Sequence, residues 1–124
     1  MSSLLVLIVD DDPLKRRTLA RALGRALRPL TIEVEAAGTL QAANARLDVR
    51  RPDLAIVDWS FPRAPGESEV RGTGREVVER CRREGVPFLV ASSEEVEPDL
   101  RGAWLADWRP EVLAADVARA TRSR

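Results

Sequence analysis

Two apolar runs in this chain each end in acidic residues, and this repeated pattern constrains the fold more than any other feature. The first run, Leu4 to Val9, is followed by three aspartates at positions 10–12, and the second, Leu54 to Val57, is followed by Asp58. Continuous apolar runs are typical of strands that are buried on both faces of a parallel sheet. Because the carboxyl ends of such strands share one edge, where open α/β sheets bind ligands, we expect the acids to converge there.

A converging set of carboxylates needs a counter-charge. Carboxylates a few Å apart repel by about 4 kcal/mol per pair at an effective dielectric constant of about 20. The chain has no histidine, and oxygen ligands favour a hard cation such as Mg²⁺, which keeps waters and accepts a phosphoryl oxygen. We therefore expect Mg²⁺ as the cofactor and phosphoryl chemistry at this edge. Taken alone, an Asp pair after a strand is equally compatible with a helix N-cap cluster.

Composition favours one compact domain. The chain has 124 residues, 44% of them hydrophobic, and its 20 basic and 20 acidic residues give a formal net charge of zero. This length suits a single core over residues 1–124 without a separate output domain. The balanced charge gives no general attraction to nucleic acid or to an anionic membrane. The apolar run at the start is too short for a signal or a membrane span, so we expect a cytoplasmic protein.

Periodicity along the chain predicts alternating strands and helices. Strands are expected at residues 4–9, 31–36, 54–57, 88–91 and 106–108. Helices are expected at residues 14–27, around 40–47, at 75–84 and after Pro110. The segment Glu94–Leu105 contains Pro98 and few spaced apolar residues, so only a shortened fourth helix is expected there. The order is (βα)₅, an α/β fold with a doubly wound, flavodoxin-like, five-stranded parallel sheet.

The residues at these strand ends are similar to those of a known family. Leu5–Pro13 resembles the first strand and acidic pair of the receiver domains of two-component response regulators, and Arg51–Asp58 resembles their phosphoacceptor strand. Val86–Ser92 is similar to the strand that ends in the family's switch Ser or Thr, and Trp108–Pro110 falls where a Lys-Pro pair is usual. The resemblance covers nearly the whole chain and implies a stand-alone, atypical receiver domain.

The resemblance also implies roles for single residues. Asp58 would be the phosphoacceptor, taking a phosphoryl group from the phosphohistidine of a histidine kinase or phosphotransfer protein. Asp10 and Asp11 would hold Mg²⁺ together with Asp58 and the backbone carbonyl of Ser60. Ser92 would donate a hydrogen bond to a phosphoryl oxygen. These roles imply a protein that modifies only itself, not an enzyme with other substrates.

Three departures from the family pattern bear on function. Arg109 stands where lysine is usual, and its guanidinium could clamp a phosphoryl oxygen or pair permanently with Asp58. Lys15, the only lysine in the chain, could lend a charge to the same pocket, although an exposed side chain is the commoner case. The second departure is the loop Arg63–Thr73, which is long enough to cover the site or bind a partner. The alternative is a tolerated surface insertion, because loop-closure entropy opposes a longer loop only mildly.

The third departure lies between the fourth strand and the last helix. Ala106 stands where the family has a switch aromatic, and the segment before it is short. Trp104 and Trp108 flank this position, and we favour core or partner contacts for them over a moving role. The single cysteine, Cys81, is expected to be a buried packing thiol.

Three functions remain open from the sequence. The leading one is a phosphoacceptor that signals through contacts with a downstream protein, as a monomer or weak homodimer. The alternative is a degenerate pseudo-receiver that acts as a phosphorylation-independent interaction module. A Mg²⁺-dependent phosphohydrolase is disfavoured, because the residues after Asp58 lack the second acid, two positions on, that is part of the pattern of haloacid-dehalogenase-like enzymes. Nucleic-acid binding has no support from charge, aromatic content or an added helix-turn-helix motif.

Overall fold

The computed structural model describes residues 3–93, 97–105 and 107–122, and its strands and helices alternate as an α/β fold requires. The strands are β1 (Ser3–Val9), β2 (Thr31–Ala37), β3 (Leu54–Val57), β4 (Ser60–Pro62), β5 (Glu69–Arg71) and β6 (Phe88–Val90). The helices are α1 (Pro13–Ala26), α2 (Leu40–Val49), α3 (Thr73–Glu84) and α4 (Pro110–Arg122), with a 3-10 helix at Pro98–Ala103.

The main sheet has the strand order β2-β1-β3-β6, and all of its strand pairs are parallel. Val9 of β1 is level with Val57 of β3, and Val57 is level with Val90 of β6. The strand order reverses between β1 and β3, which is the place where such sheets bind ligands. The predicted fold class is therefore confirmed, and the two acid-terminated strands are direct neighbours.

Apolar residues on both faces of the sheet form the core. One cluster packs β1 and β3 against α1 and α4, and another packs the opposite face against α2 and α3. Asp12 caps α1 by accepting hydrogen bonds from the amides of Leu14, at 2.9 Å, and Lys15, at 3.4 Å. Cys81 of α3 is fully buried, and burial raises the pKa of its thiol to about 12. A packing role for Cys81 follows, as expected.

The fifth strand expected at residues 106–108 differs from the structure. The described residues form an isolated parallel bridge between Val90 and Trp104 instead, with the Leu105 amide donating to the Val90 carbonyl at 2.7 Å. Ala106 lies outside the described residues. Asp107 accepts a hydrogen bond from the Arg109 amide at 2.9 Å, and such a local turn competes with strand pairing. The main sheet therefore has four strands in the part of the chain described here.

The loop expected at Arg63–Thr73 is partly a hairpin. Strands β4 and β5 pair antiparallel, and the turn between them has Pro65 followed by Gly66 with φ of 82°. The Glu67 amide donates to the Ala64 carbonyl at 3.1 Å. These are the features of a type II turn, in which the third residue needs a positive φ.

The segment before the last helix is short, as expected. The 3-10 helix Pro98–Ala103 takes the place of a regular fourth helix, while residues 94–96 of the expected segment lie outside the described residues. A cavity of about 720 Å³ opens beside the start of β6, between α3 and α4, and Phe88 and Arg51 are among the residues that line it. Among the helices described, none combines the length and apolar character needed to cross a bilayer.

Candidate functional site

Three residues that directly follow strands are fixed side by side by backbone hydrogen bonds. The Asp10 amide donates to the Ala37 carbonyl at 2.9 Å, and the Asp58 amide donates to the Val9 carbonyl at 2.8 Å. The Ala91 amide likewise donates to Val57 at 2.9 Å. The ladder thus continues one residue past each strand, and it places the two aspartates next to each other at the carboxyl edge.

The predicted acidic cluster is present at this edge. One carboxylate oxygen from each of Asp10, Asp11 and Asp58 lies within 4.8 Å of the others. Asp10 is buried, Asp58 is partly buried and Asp11 is exposed. This set of oxygen donors, open to solvent on the Asp11 side, fits a hard divalent cation such as Mg²⁺. The N-cap interpretation applies to a different residue, Asp12, whose amide donates to Asp10 Oδ1 at 2.9 Å.

Lys15 lies in this cluster, and the expectation that it is an exposed surface lysine is wrong. Its Nζ is 3.0 Å from Asp10 Oδ2 and 3.4 Å from Asp58 Oδ1, and it donates to the Ala91 carbonyl at 3.1 Å. Its side chain is only 27% exposed. Burial acts to lower the pKa of Lys15, but the hydrogen bond and charge of Asp10, joined by Asp58, raise the pKa above 10.5 overall.

Arg109 does not join the acidic cluster. Its side chain is 68% exposed and pairs with Asp107, with Nε at 2.8 Å and Nη2 at 2.7 Å from Asp107 Oδ2. The expectation that Arg109 contacts the phosphoacceptor site is therefore not met in this structure. The physical reason is local: Asp107 also accepts the Arg109 amide, so backbone and side chain of Arg109 are held by the same carboxylate.

The carboxyl group of Asp58 has a raised pKa. Burial and the nearby charge of Asp10 raise its pKa to about 6, while Lys15 and the Trp59 amide act in the opposite direction. The Trp59 amide donates to Asp58 Oδ1 at 2.8 Å, the same oxygen that faces Lys15. Within the described ranges no donor is recorded for Asp58 Oδ2. The two oxygens are therefore chemically distinct, and Oδ2 is the one left for a ligand.

The two serines expected at the site also lie near the carboxyl edge. Ser92 is 9% exposed and comes two residues after β6, and its carbonyl accepts a hydrogen bond from Trp104 Nε1 at 3.0 Å. Ser60 is 5% exposed and begins β4. The Gly72 amide donates to the Trp59 carbonyl, so Ser60 sits at a non-hydrogen-bonded position of the hairpin ladder and its carbonyl points away from β5.

Gly74 packs against the Asp58 backbone, a role that the sequence did not predict for it. A Cβ atom at this position would overlap the Asp58 carbonyl oxygen and approach Trp59 Cα to 3.0 Å. The Gly74 amide donates to the Trp59 carbonyl at 3.0 Å. The start of α3 thus packs directly on the backbone that carries Asp58. The pair Gly72-x-Gly74 is a signal in the sequence, but nothing in the sequence connects it to Asp58.

The tryptophans beyond Ser92 contact the core, in line with the interpretation favoured from the sequence. Trp104 packs against a small cluster that contains Trp59, Val90 and Leu100, and Trp108 packs on the α1 and α4 side. Because Trp104 also bonds the Ser92 carbonyl, this cluster connects the end of β6 to the 3-10 helix.

A curated protein resembles this chain in sequence. The Positive alginate biosynthesis regulatory protein of Pseudomonas aeruginosa is 32% identical over an alignment of 130 positions. This alignment covers 94% of this chain and 47% of that protein. The chain thus spans about half the length of this relative. No protein-family model matches the chain.

Solved structures resemble the chain over its whole length. The signal receiver domain of the response regulator NarL from Mycobacterium tuberculosis is 22% identical with a TM-score of 0.69, and 100% of each chain is covered. The chemotaxis protein CheY4 of Vibrio cholerae is 25% identical with a TM-score of 0.67, and the likeness covers 96% of this chain and 99% of CheY4. The likeness therefore concerns the entire fold and not one motif.

Proposed function

We propose that this chain, which is a response regulator receiver domain by its fold, accepts a phosphoryl group on Asp58 and signals through protein contacts. The observation that carries this proposal is the convergence of three carboxylates within 4.8 Å of one another at the switch point of the sheet. Asp58 lies in this set with one oxygen bonded and the other without a recorded donor among the described residues. Such an oxygen is suited to act as a nucleophile.

The proposed transfer forms one bond and breaks one. An Asp58 oxygen attacks the phosphorus of a phosphohistidine, the P–N bond breaks, and the imidazole leaves with the electron pair and takes a proton from solvent. Mg²⁺ bound by Asp10, Asp11 and the Ser60 carbonyl would neutralise charge on the transferring group. The Ser92 hydroxyl donates to a phosphoryl oxygen. The product is an acyl phosphate on the chain itself, so we propose a phosphoacceptor without turnover on other substrates.

The partners in this proposal follow from the chemistry. The donor is a histidine kinase or a phosphotransfer protein, and the output passes through surfaces that change when Asp58 is modified. The curated relative is named as a positive regulator of alginate biosynthesis, and a regulatory role fits a phosphoacceptor. A cytoplasmic site of action is part of the same proposal, because kinases of this kind need ATP.

A second candidate function is an interaction module that needs no phosphorylation. The observation that favours it is the ion pair between Arg109 and Asp107. This pair keeps the Arg109 side chain away from the acidic cluster, where the family resemblance places a basic group. The Lys15 ammonium also pairs with Asp10 and Asp58 and offsets part of their negative charge without any phosphoryl group. Mg²⁺-dependent phosphoryl transfer to Asp58 would exclude this alternative.

Intact mass spectrometry tests the proposal. The wild-type chain is incubated with Mg²⁺ and acetyl phosphate, or with a phosphorylated histidine kinase, and we expect one phosphoryl adduct that is lost when EDTA replaces Mg²⁺. Asp58→Asn is expected to take no adduct. Asp48→Asn is the matched control, because Asp48 is an exposed aspartate that pairs with Arg80 on the helical surface, and it should be modified like the wild type.

Two results would overturn the proposal. One is a wild-type chain that takes no adduct from either donor at saturating Mg²⁺. The other is an Asp58→Asn variant that is modified as fully as the wild type, since the phosphoryl group would then reside elsewhere.

A further inference from the structure

Lys15 provides a positive charge where the family resemblance led us to expect Arg109. We infer that Lys15 is the catalytic cation of this chain, the residue that neutralises the phosphoryl group as it is transferred to Asp58. This inference rests on the proposed function and identifies a residue of its site. The charge comes from the first turn of α1, whereas in the family pattern it comes from the segment before the last helix.

The ammonium group of Lys15 faces two carboxylates and one backbone carbonyl at the site. An ammonium has three N–H donors, and Nζ lies 3.0 Å from Asp10 Oδ2, 3.1 Å from the Ala91 carbonyl and 3.4 Å from Asp58 Oδ1. Two of these partners are carboxylates and the third belongs to the strand end that leads to Ser92. Lys15 therefore spans the carboxyl ends of β1, β3 and β6, which are the strands that carry the site.

Local structure fixes the position of Lys15. Asp12 caps α1 and accepts the Lys15 amide at 3.4 Å, and Pro13 occupies the first helical position. Both features set where the helix begins and therefore which way its third residue projects. A surface lysine with a free choice of rotamers would not be held in this way, and the 27% exposure of the Lys15 side chain agrees with a confined position.

The distribution of bonds on Asp58 gives Lys15 a place beside the transferring group. Oδ1 accepts the Trp59 amide at 2.8 Å and faces Lys15, so Oδ2 carries the available lone pairs. A phosphoryl group on Oδ2 would share its carboxylate with the oxygen that faces Lys15 at 3.4 Å, close enough for the ammonium to attract its negative charge. Three carboxylates and one ammonium also leave two net negative charges, which one divalent cation balances. Lys15 and Mg²⁺ can therefore act together.

The contrast with Arg109 makes the inference specific. Asp107 holds the Arg109 guanidinium through Nε and Nη2 and its amide through Oδ1, and the side chain is 68% exposed. Recruiting the Arg109 side chain to the acidic cluster would break this ion pair. Lys15 requires no such rearrangement.

Matched substitutions distinguish the two residues. Lys15→Met keeps the length of the side chain without its charge, Lys15→Arg keeps the charge, and Arg109→Met is the comparison. With acetyl phosphate and saturating Mg²⁺, Lys15→Met should lower the limiting rate of phosphorylation by about 100-fold, the scale of losing one preorganised donor to a developing anion. Lys15→Arg should recover part of this rate. Arg109→Met should stay within about threefold of the wild-type rate, because the Arg109 guanidinium pairs with Asp107 and not with the acidic cluster.

A metal titration distinguishes an effect of the Lys15 charge from a merely structural role of Lys15. Removing a positive charge from between two ligands should make Lys15→Met bind Mg²⁺ about tenfold more tightly than the wild type, as measured by tryptophan fluorescence. Tighter metal binding together with slower phosphorylation supports the inference, because loss of folding would weaken both.

The outcomes separate this inference from the proposed function. If the wild type and Lys15→Met are phosphorylated at the same rate, or if Arg109→Met shows the larger loss, the role of Lys15 is overturned and Asp58 remains the acceptor. If the wild type takes no phosphoryl group, the proposed function fails and the role of Lys15 fails with it.

Discussion

Among single residues, Gly74 shows how closely the backbone at Asp58 is packed. The first turn of α3 lies against the carbonyl of Asp58 and the Cα of Trp59, with no room for a side chain. The Gly74 and Gly72 amides both donate to the Trp59 carbonyl, at 3.0 and 3.1 Å. The position of Asp58 therefore depends on a helix as well as on its strand.

Replacing Gly74 with alanine should lower the free energy of unfolding by about 2 kcal/mol, because the overlap is relieved only by moving α3 or the Asp58 backbone. Urea unfolding followed by tryptophan fluorescence measures this change. Gly24→Ala is the control: Gly24 lies inside α1 with nothing within 4 Å of an added Cβ, so it should gain about 1 kcal/mol from helix propensity. Equal effects of the two substitutions would contradict the close packing at Gly74.

The negative charge of Asp58 should lower the free energy of unfolding when no metal is bound. Burial and the charge of Asp10 raise its pKa to about 6, so its ionised form is disfavoured in the folded chain. Asp58→Asn should therefore raise the free energy of unfolding by about 2 kcal/mol near pH 7. Added Mg²⁺ should stabilise the wild type more than the variant. A variant that is less stable than the wild type in EDTA would show that the Lys15 ion pair outweighs burial.

Among the elements, the hairpin after Asp58 differs most from what the sequence indicates. Strand β5 is exposed at all three residues, Glu69–Arg71, and lacks the apolar alternation that predicts a strand. It forms because the type II turn at Pro65-Gly66 returns the chain to pair with β4. Arg63 and Glu76 join this hairpin to α3 through an ion pair. The hairpin thus connects β3, which ends before Asp58, to the helix α3 that packs on the Asp58 backbone.

Substitutions at Gly66 test the turn that builds this hairpin. Gly66 has a φ of 82° and nothing near an added Cβ, so only the backbone conformation opposes a side chain there. Gly66→Ala should lower the free energy of unfolding by about 1 kcal/mol, while Gly66→Asn should lose less, because Asn adopts positive φ more readily. Urea unfolding gives the order, and an alanine variant as stable as the wild type would rule out the strained turn.

For the molecule as a whole, local patterns predicted most of the fold. The buried strands β1 and β3 and the helices were predictable because continuous apolar runs and a 3.6-residue period are properties of short segments. The fifth strand was placed wrongly, since the turn at Asp107 depends on one side chain bonding its own backbone. Residues 94–96 of the expected short fourth helix and Ala106 of the expected fifth strand lie outside the described residues, so these parts stay predictions.

The site was predictable in part for the same reason. Asp10, Asp11 and Asp58 follow apolar runs, so their convergence at one sheet edge follows from parallel pairing. The sequence did not predict that Lys15, and not Arg109, lies in the acidic cluster. The position of Lys15 depends on how α1 is rotated over the sheet, and that of Arg109 depends on its ion pair with Asp107. Contacts between elements that are distant in sequence carry no local pattern.

The most direct test of the central claim is to locate the phosphoryl group. The wild-type chain is incubated with Mg²⁺ and acetyl phosphate, reduced with borohydride, and digested for mass spectrometry, because borohydride converts an aspartyl phosphate to homoserine. The account predicts homoserine at position 58 and unmodified aspartate at positions 10 and 11. Homoserine at another position, or none anywhere after incubation with a phosphorylated kinase as well, would contradict it.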